Sequence, residues 1–233
     1  MKEVNQKRLG NLHFSVRLII GILVFGSIWG FLEATLGGFL HMVVFPNKGA
    51  IMSGIGVAIM ASALAIYRKP VMLPGIGIVA ASFKLLDVWL FSLPIGSIHI
   101  INPAMAIVFE SLAFGLVAII ITNRIARNAF IGIGAGALVG IISAIAWVYF
   151  AIYVMNAPAY ARVVFTAGEF ITNQGVLQAA FSAIFLPLGY LASEKLAART
   201  PPLLSRRPVY FAVSASAVMF CWGISALAIA AEL

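Results

Sequence analysis

The sequence predicts an all-α membrane protein with several crossings, on three observations. Its 233 residues have a mean hydropathy of +1.08, with 63% hydrophobic and only 9% charged, so polar groups are too few to coat a soluble domain. Apolar runs of the ~20-residue length that crosses a bilayer recur along the whole chain. Lys and Arg fall in short clusters between those runs, with no basic stripe interleaved by aromatics. The formal charge of +8 therefore reads as membrane topology and not as a nucleic-acid surface.

The predicted spans are 17–45, 50–67, 71–94, 103–123, 129–155, 173–193 and 208–231. The first run is far longer than the ~7–15 apolar residues of a signal peptide and lacks a convincing cleavage site, so it is expected to stay as a span. Pro46 and Gly49 end it, Pro70 divides the second span from the third, and Pro94 and Gly96 end the third. Asn102 and Pro103 read as the N-cap and first helical residue of the fourth. The fifth is long enough to tilt or protrude. Between it and the sixth, Asn156 to Thr172 contains Pro158, Arg162 and Glu169, and is expected to form an external lid or short interfacial helix. Pro201, Pro202 and Pro208 bracket a basic loop that makes the seventh span look appended to a six-helix core. The organisation expected is a cytoplasmic segment 1–15, a membrane core 16–195, a basic loop 196–207 and an additional helix 208–233.

The basic residues orient this arrangement. Lys2, Lys7, Arg8 and Arg17 precede the first span; Arg68 and Lys69 follow the second; Arg124 and Arg127 follow the fourth; Lys195, Arg199, Arg206 and Arg207 separate the sixth from the seventh. With seven crossings all of these share one side, and only Lys48 and Arg162 fall in opposite loops. The positive-inside rule then puts the N-terminus in the cytoplasm and the C-terminus outside, in the cell (inner) membrane.

Ionisable side chains inside the spans are few and costly in hydrocarbon, which makes them the candidate functional residues. They are Glu33 in the first span, Lys84 and Asp87 in the third, and Glu110 in the fourth. Glu33 shares a helix row with Trp29, Gly37 and His41; His41 lies two turns outward, ~12 Å away, so the two cannot share a metal unless the helix breaks at Gly37 and Gly38. Lys84 and Asp87, three residues apart, are spaced for an intrahelical ion pair, either a structural neutralisation or a pair that opens for a ligand. His99 lies in the third external connection. Glu33, His41, Lys84, Asp87, His99 and Glu110 thus all fall between mid-membrane and the outer face, where Asn173, Gln174 and Gln178 enter the sixth span. A one-sided polar interior suggests a cavity opening outward rather than a channel. If Lys84 cancels Asp87, Glu33 and Glu110 leave the cavity negative unless they hold protons, which favours a cationic or amine-bearing solute, a metal ion or a proton over a phosphate. Trp29, Trp89, Trp147, Tyr149 and Tyr153 are candidate stacking surfaces, although aromatics at span ends more often anchor to the interface.

Enzyme signatures are nearly absent: there is no HExxH, Walker A, GxSxG or acid-rich metal motif, and no cofactor is implied. Gly54-Ile55-Gly56 and Gly132-Ile133-Gly134 lie within spans, where glycine serves helix packing. Cys221 is the only cysteine, so one chain holds no disulfide.

Along the first span Gly26, Gly30, Ala34 and Gly38 recur every fourth residue as a small-residue ridge that a neighbouring helix, of this chain or of a partner, should meet closely. With the chain's size, cytoplasmic N-terminus and six-helix core, this ridge resembles the substrate-binding S components of energy-coupling factor (ECF) transporters, over roughly residues 15–195. The resemblance implies a vitamin- or metal-binding subunit that docks by the ridge onto a coupling transmembrane subunit with two ATPases. Two features depart from that pattern: the seventh span, and Lys2 after Met1, where cobalt and nickel members carry Met-His.

The function expected is a solute-binding transport subunit embedded in membrane lipid, with Trp29, Glu33, His41, Lys84, Asp87, His99 and Glu110 lining its site. The alternatives are a membrane-embedded metal-dependent enzyme, with Glu33 or Glu110 as acid or base and His41 and His99 holding the metal, and an accessory subunit whose polar residues fix helix packing.

Overall fold

The computed structural model describes residues 2–125, 128–155, 167–197 and 207–231. They form α1 (Lys2–Met42), α2 (Lys48–Tyr67), α3 (Met72–Ser82), α4 (Leu85–Phe91), α5 (Ile98–Ile125), α6 (Ala129–Tyr153), α7 (Ala167–Ala197) and α8 (Arg207–Ala230). No strand occurs among the described residues, and seven helical segments there, α3 and α4 together making one, are long and apolar enough to cross a membrane. The chain is an all-α, multi-pass integral membrane protein.

Three expected boundaries move. The third span is two helices: across Phe83 and Lys84 the backbone tightens to i→i+3 bonds, with Phe83 N–H on the Ala80 carbonyl at 3.2 Å and Lys84 N–H on Ala81 at 3.1 Å. Ser82 Oγ satisfies the Val79 carbonyl at 2.6 Å, so the break leaves no bare acceptor there. Helix α5 starts at Ile98, so Pro103 lies inside it, and its missing N–H deprives the His99 carbonyl of an intrahelical donor. Helix α7 starts at Ala167, which makes Glu169 to Thr172 the first turns of the sixth span. The rest of the expected lid, 156–166, lies outside the described residues, as do Arg127, Arg199 and Arg206.

Small residues set the close packing, as expected where lipid removes the hydrophobic drive between helices. Gly189 of α7 lies against the Ala58 backbone of α2, and Ser62 Oγ donates across that contact to the Gly189 carbonyl at 3.1 Å. Gly136 and Gly140 of α6 seat on the α7 backbone at Ser182 and Ala179. Gly54, Gly56 and Gly132 likewise meet Phe185, Trp29 and Pro187, whereas Gly134 faces open space. On the α1 ridge, Gly26 is covered by Ile76 and Val79 and Gly30 by the Phe83 ring, so the helix that meets these two glycines is α3 of the same chain. Helix α8 packs on α1 and α4.

The close-packed core occupies one half of the bundle. Trp29, Met60, Leu64, Met72, Leu73, Ile76, Phe114, Leu186 and Tyr190 are fully buried there. That half ends in Arg68, Lys69, Arg124 and Lys195, and Arg68 bridges α2 to Glu194 of α7 at 2.6 Å. The opposite half holds the site.

Candidate functional site

A cavity of about 1120 Å³ opens at the end of the bundle away from Arg68 and Arg124, just above the upper size range of small-molecule sites, roughly 300–1,000 Å³. Glu33, His41, Lys84, Asp87, His99 and Glu110 all line it, as do Gln174 and Gln178. Residues scattered over four helices in sequence therefore meet in one space.

Each is placed by a local feature. Helix α1 runs unbroken to Met42, so Glu33 and His41 sit on one face two turns apart, about 12 Å, and face the cavity at different depths. Lys84 emerges at the α3–α4 break, which is held by Phe83: this ring is buried over Gly30 and lies 4.1 Å, centroid to centroid, from Trp222 of α8. Lys84 lines the same cavity as Glu33 and Asp87. The expected Lys84–Asp87 ion pair is not closed; among the described residues the salt bridge at contact distance is Arg68–Glu194. Lys84 stands in the break as the N-cap of α4 and Asp87 lies in that helix's first turn, with the two side chains beyond contact distance. In α7 a π turn at Ile171–Gly175 carries Gln174 to the wall, an irregularity of the kind often found at functional sites.

At the floor, Glu110 is 4% exposed and its Oε1 has no hydrogen-bond partner. The Ser53 hydroxyl lies beside it without reaching hydrogen-bond geometry, and Glu33 lines the same space. Two carboxyls and an unengaged hydroxyl thus converge on one desolvated spot, a combination that favours a hydrogen-bonded cation. At the mouth, Lys48 Nζ donates to His41 Nδ1 at 2.6 Å, so that nitrogen is an acceptor already in use.

Trp29 is corrected: it is fully buried, lies on Gly56 and is not among the cavity's lining residues, because the missing side chain at Gly56 lets the indole sink into the core. Of the other candidate rings, Trp147 lines the wall, stacked on Phe170 with centroids 4.9 Å apart. Trp89 is 86% exposed on the outside, and Tyr149 and Tyr153 stack on each other on exposed positions, as interfacial anchors would. On the α1 ridge, Ala34 and Gly38 line the cavity. His41 and His99 both border the cavity, but among the described residues no three His, Cys, Asp or Glu gather as a metal would require.

Lys48, Ser53 and Phe170 were not legible as site residues. Serines and threonines in these spans mostly bond back to their own helix, as Thr35 does to Phe31 and Ser62 to Ala58, so Ser53 gives no distinguishing signal until its neighbours are known.

No family model, curated protein or solved structure matches the chain.

Proposed function

We propose that the chain is the solute-binding subunit of a membrane transport system, taking up a small cationic or amine-bearing solute from outside the cell membrane. The observation that carries this is the blind cavity: polar and acidic at its floor, open at one end, and backed by the close-packed core. A channel would need a polar path through that core, and an enzyme using metal would need a third ligand beside the two histidines. With Arg68, Lys69, Arg124 and Lys195 at the closed end, the positive-inside rule turns the mouth outward. The ECF-like reading fits here as a proposal: a coupling transmembrane subunit and ATPases would supply the energy that this chain has no nucleotide motif to harvest. Since α3 covers Gly26 and Gly30, such a partner would dock on another face.

The test is binding by the purified full chain in lipid nanodiscs. A panel of organic amines, alcohols of matched size and divalent ions is titrated while melting is followed. Saturable stabilisation by amines and none by the alcohols is expected, and a panel without any saturable amine response overturns the proposal.

A further inference from the structure

The cavity has two chemical poles. Its floor is acidic and desolvated: the 4% exposed Glu110, with its unpartnered Oε1, the unpartnered Ser53 hydroxyl and Glu33. Its mouth is the reverse. Lys48 and His41 line it, and among the described residues no carboxylate lies within ion-pair distance of Lys48. The start of α2 adds the Lys48 and Gly49 amides there, since the Asn47 side chain makes no cap and the first amide to bond within the turn is that of Ala50, on the Asn47 carbonyl at 3.0 Å. Space beside Gly49 is open, so a ligand can approach that turn. Lys84 follows Phe83, which covers Gly30, so it stands near the depth of Glu33; against this one cation the cavity sets Glu33, Asp87 and Glu110, which leaves the floor with an excess of carboxyls. The poles stand roughly 8–12 Å apart along the bundle: eight residues of α1 rise about 12 Å from Glu33 to His41, and five of α2 rise about 8 Å from Ser53 to Lys48, while Glu33 Oε2 reaches toward Gly37. The Trp147–Phe170 ring pair forms part of the wall.

We infer that the solute is amphoteric, with an ammonium held at the floor by Glu110 and Glu33 and a carboxylate roughly 8–12 Å away held at the mouth by Lys48, His41 and the start of α2. This rests on the function proposed above. A solute with only an amine leaves the basic mouth unused, and one with only an acid meets two carboxyls at the floor.

The probes are ω-amino carboxylates of increasing chain length and the alkylamines of the same lengths, titrated calorimetrically into the full chain in nanodiscs. The carboxylate should strengthen binding about fivefold, the most that a half-exposed ion pair ordinarily gives. The gain should peak where nitrogen and carboxylate stand roughly 8–12 Å apart. Lys48→Gln should erase the gain and Lys48→Arg should keep it. Alkylamines that match their amino carboxylates, a gain that survives Lys48→Gln, or a series flat in length overturns the amphoteric solute while leaving amine binding intact. Failure of every amine to bind overturns both this inference and the proposed function. The length series needs no variant, so it decides the matter even where Lys48→Gln does not assemble.

Discussion

Replacing Glu110 by Gln keeps the side chain's volume and removes its carboxylate, which separates a binding role from a structural one. In the folded chain Glu110 Oε1 accepts no hydrogen bond, and the nearby Ser53 hydroxyl donates none to it. The solute-free protein therefore loses no internal bond on substitution, and its stability should change by less than about 1 kcal/mol. With an amine bound, the same carboxyl is half of a desolvated charge pair, and deleting one member of such a pair costs about 3–5 kcal/mol. Affinity should then fall by at least about a hundredfold. The assay is paired: calorimetric titration of an alkylamine, and thermal melting of the solute-free chain, in wild type and Glu110→Gln. Unchanged affinity would remove Glu110 from the site. A fall in solute-free stability of several kcal/mol would show instead that the carboxyl holds helices together, and the reasoning from its unpartnered oxygen would fail.

Four further outcomes follow from the packing and the topology. Gly136→Ala should destabilise the bundle by about 1–3 kcal/mol, because its Cβ would run into the Ser182 backbone, whereas Gly134→Ala, facing open space two residues away, should be silent in the same melting assay. Arg68→Ala should cost no more than about 1 kcal/mol, since both partners of the Arg68–Glu194 pair are substantially exposed at 43% and 38%. In a Cys221→Ala background, single cysteines at Ser97 and at Asn123 should react with impermeant thiol reagent from opposite faces of the membrane; labelling from the same face would undo the seven-crossing topology. Trp222→Ala should weaken amine binding more than it lowers stability, because the ring it leaves, Phe83, fixes the break from which Lys84 emerges; equal wild-type affinity would show that α8 does not hold that break.

Much of this was readable from the chain alone, for a physical reason. Hydrocarbon imposes length, apolarity and saturated backbone on every crossing, so the spans announce themselves, and an odd count brings Glu33, His41, Lys84, Asp87, His99 and Glu110 to one depth range. Gln174 and Gln178 were placed at that depth by the same logic. Depth, however, is only one coordinate. The direction in which each side chain points around its helix depends on neighbours remote in sequence, and the chain is silent on these. Trp29 shares a helix row with Glu33 yet sinks into the core because Gly56 of another helix leaves room for it. Lys84 and Asp87 read as two residues of one continuous span, yet Lys84 stands in a break between α3 and α4 that Phe83, seated on Gly30 and against Trp222, holds. Pro103 reads as a helix start, but the helix begins earlier and keeps the proline within its second turn.

What the sequence determined by itself is the class of protein, the number of its crossings and the depth of its costly charges, all of which follow from the transfer of single residues into lipid. What only the tertiary structure decided is that those charges share one closed-ended cavity, that Lys48 and Ser53 join them, and that Gly26 and Gly30 are spoken for by α3. These depend on how helices rotate and approach, which is governed by packing between residues remote in sequence, as Ser62 and Gly189 are at 127 positions apart.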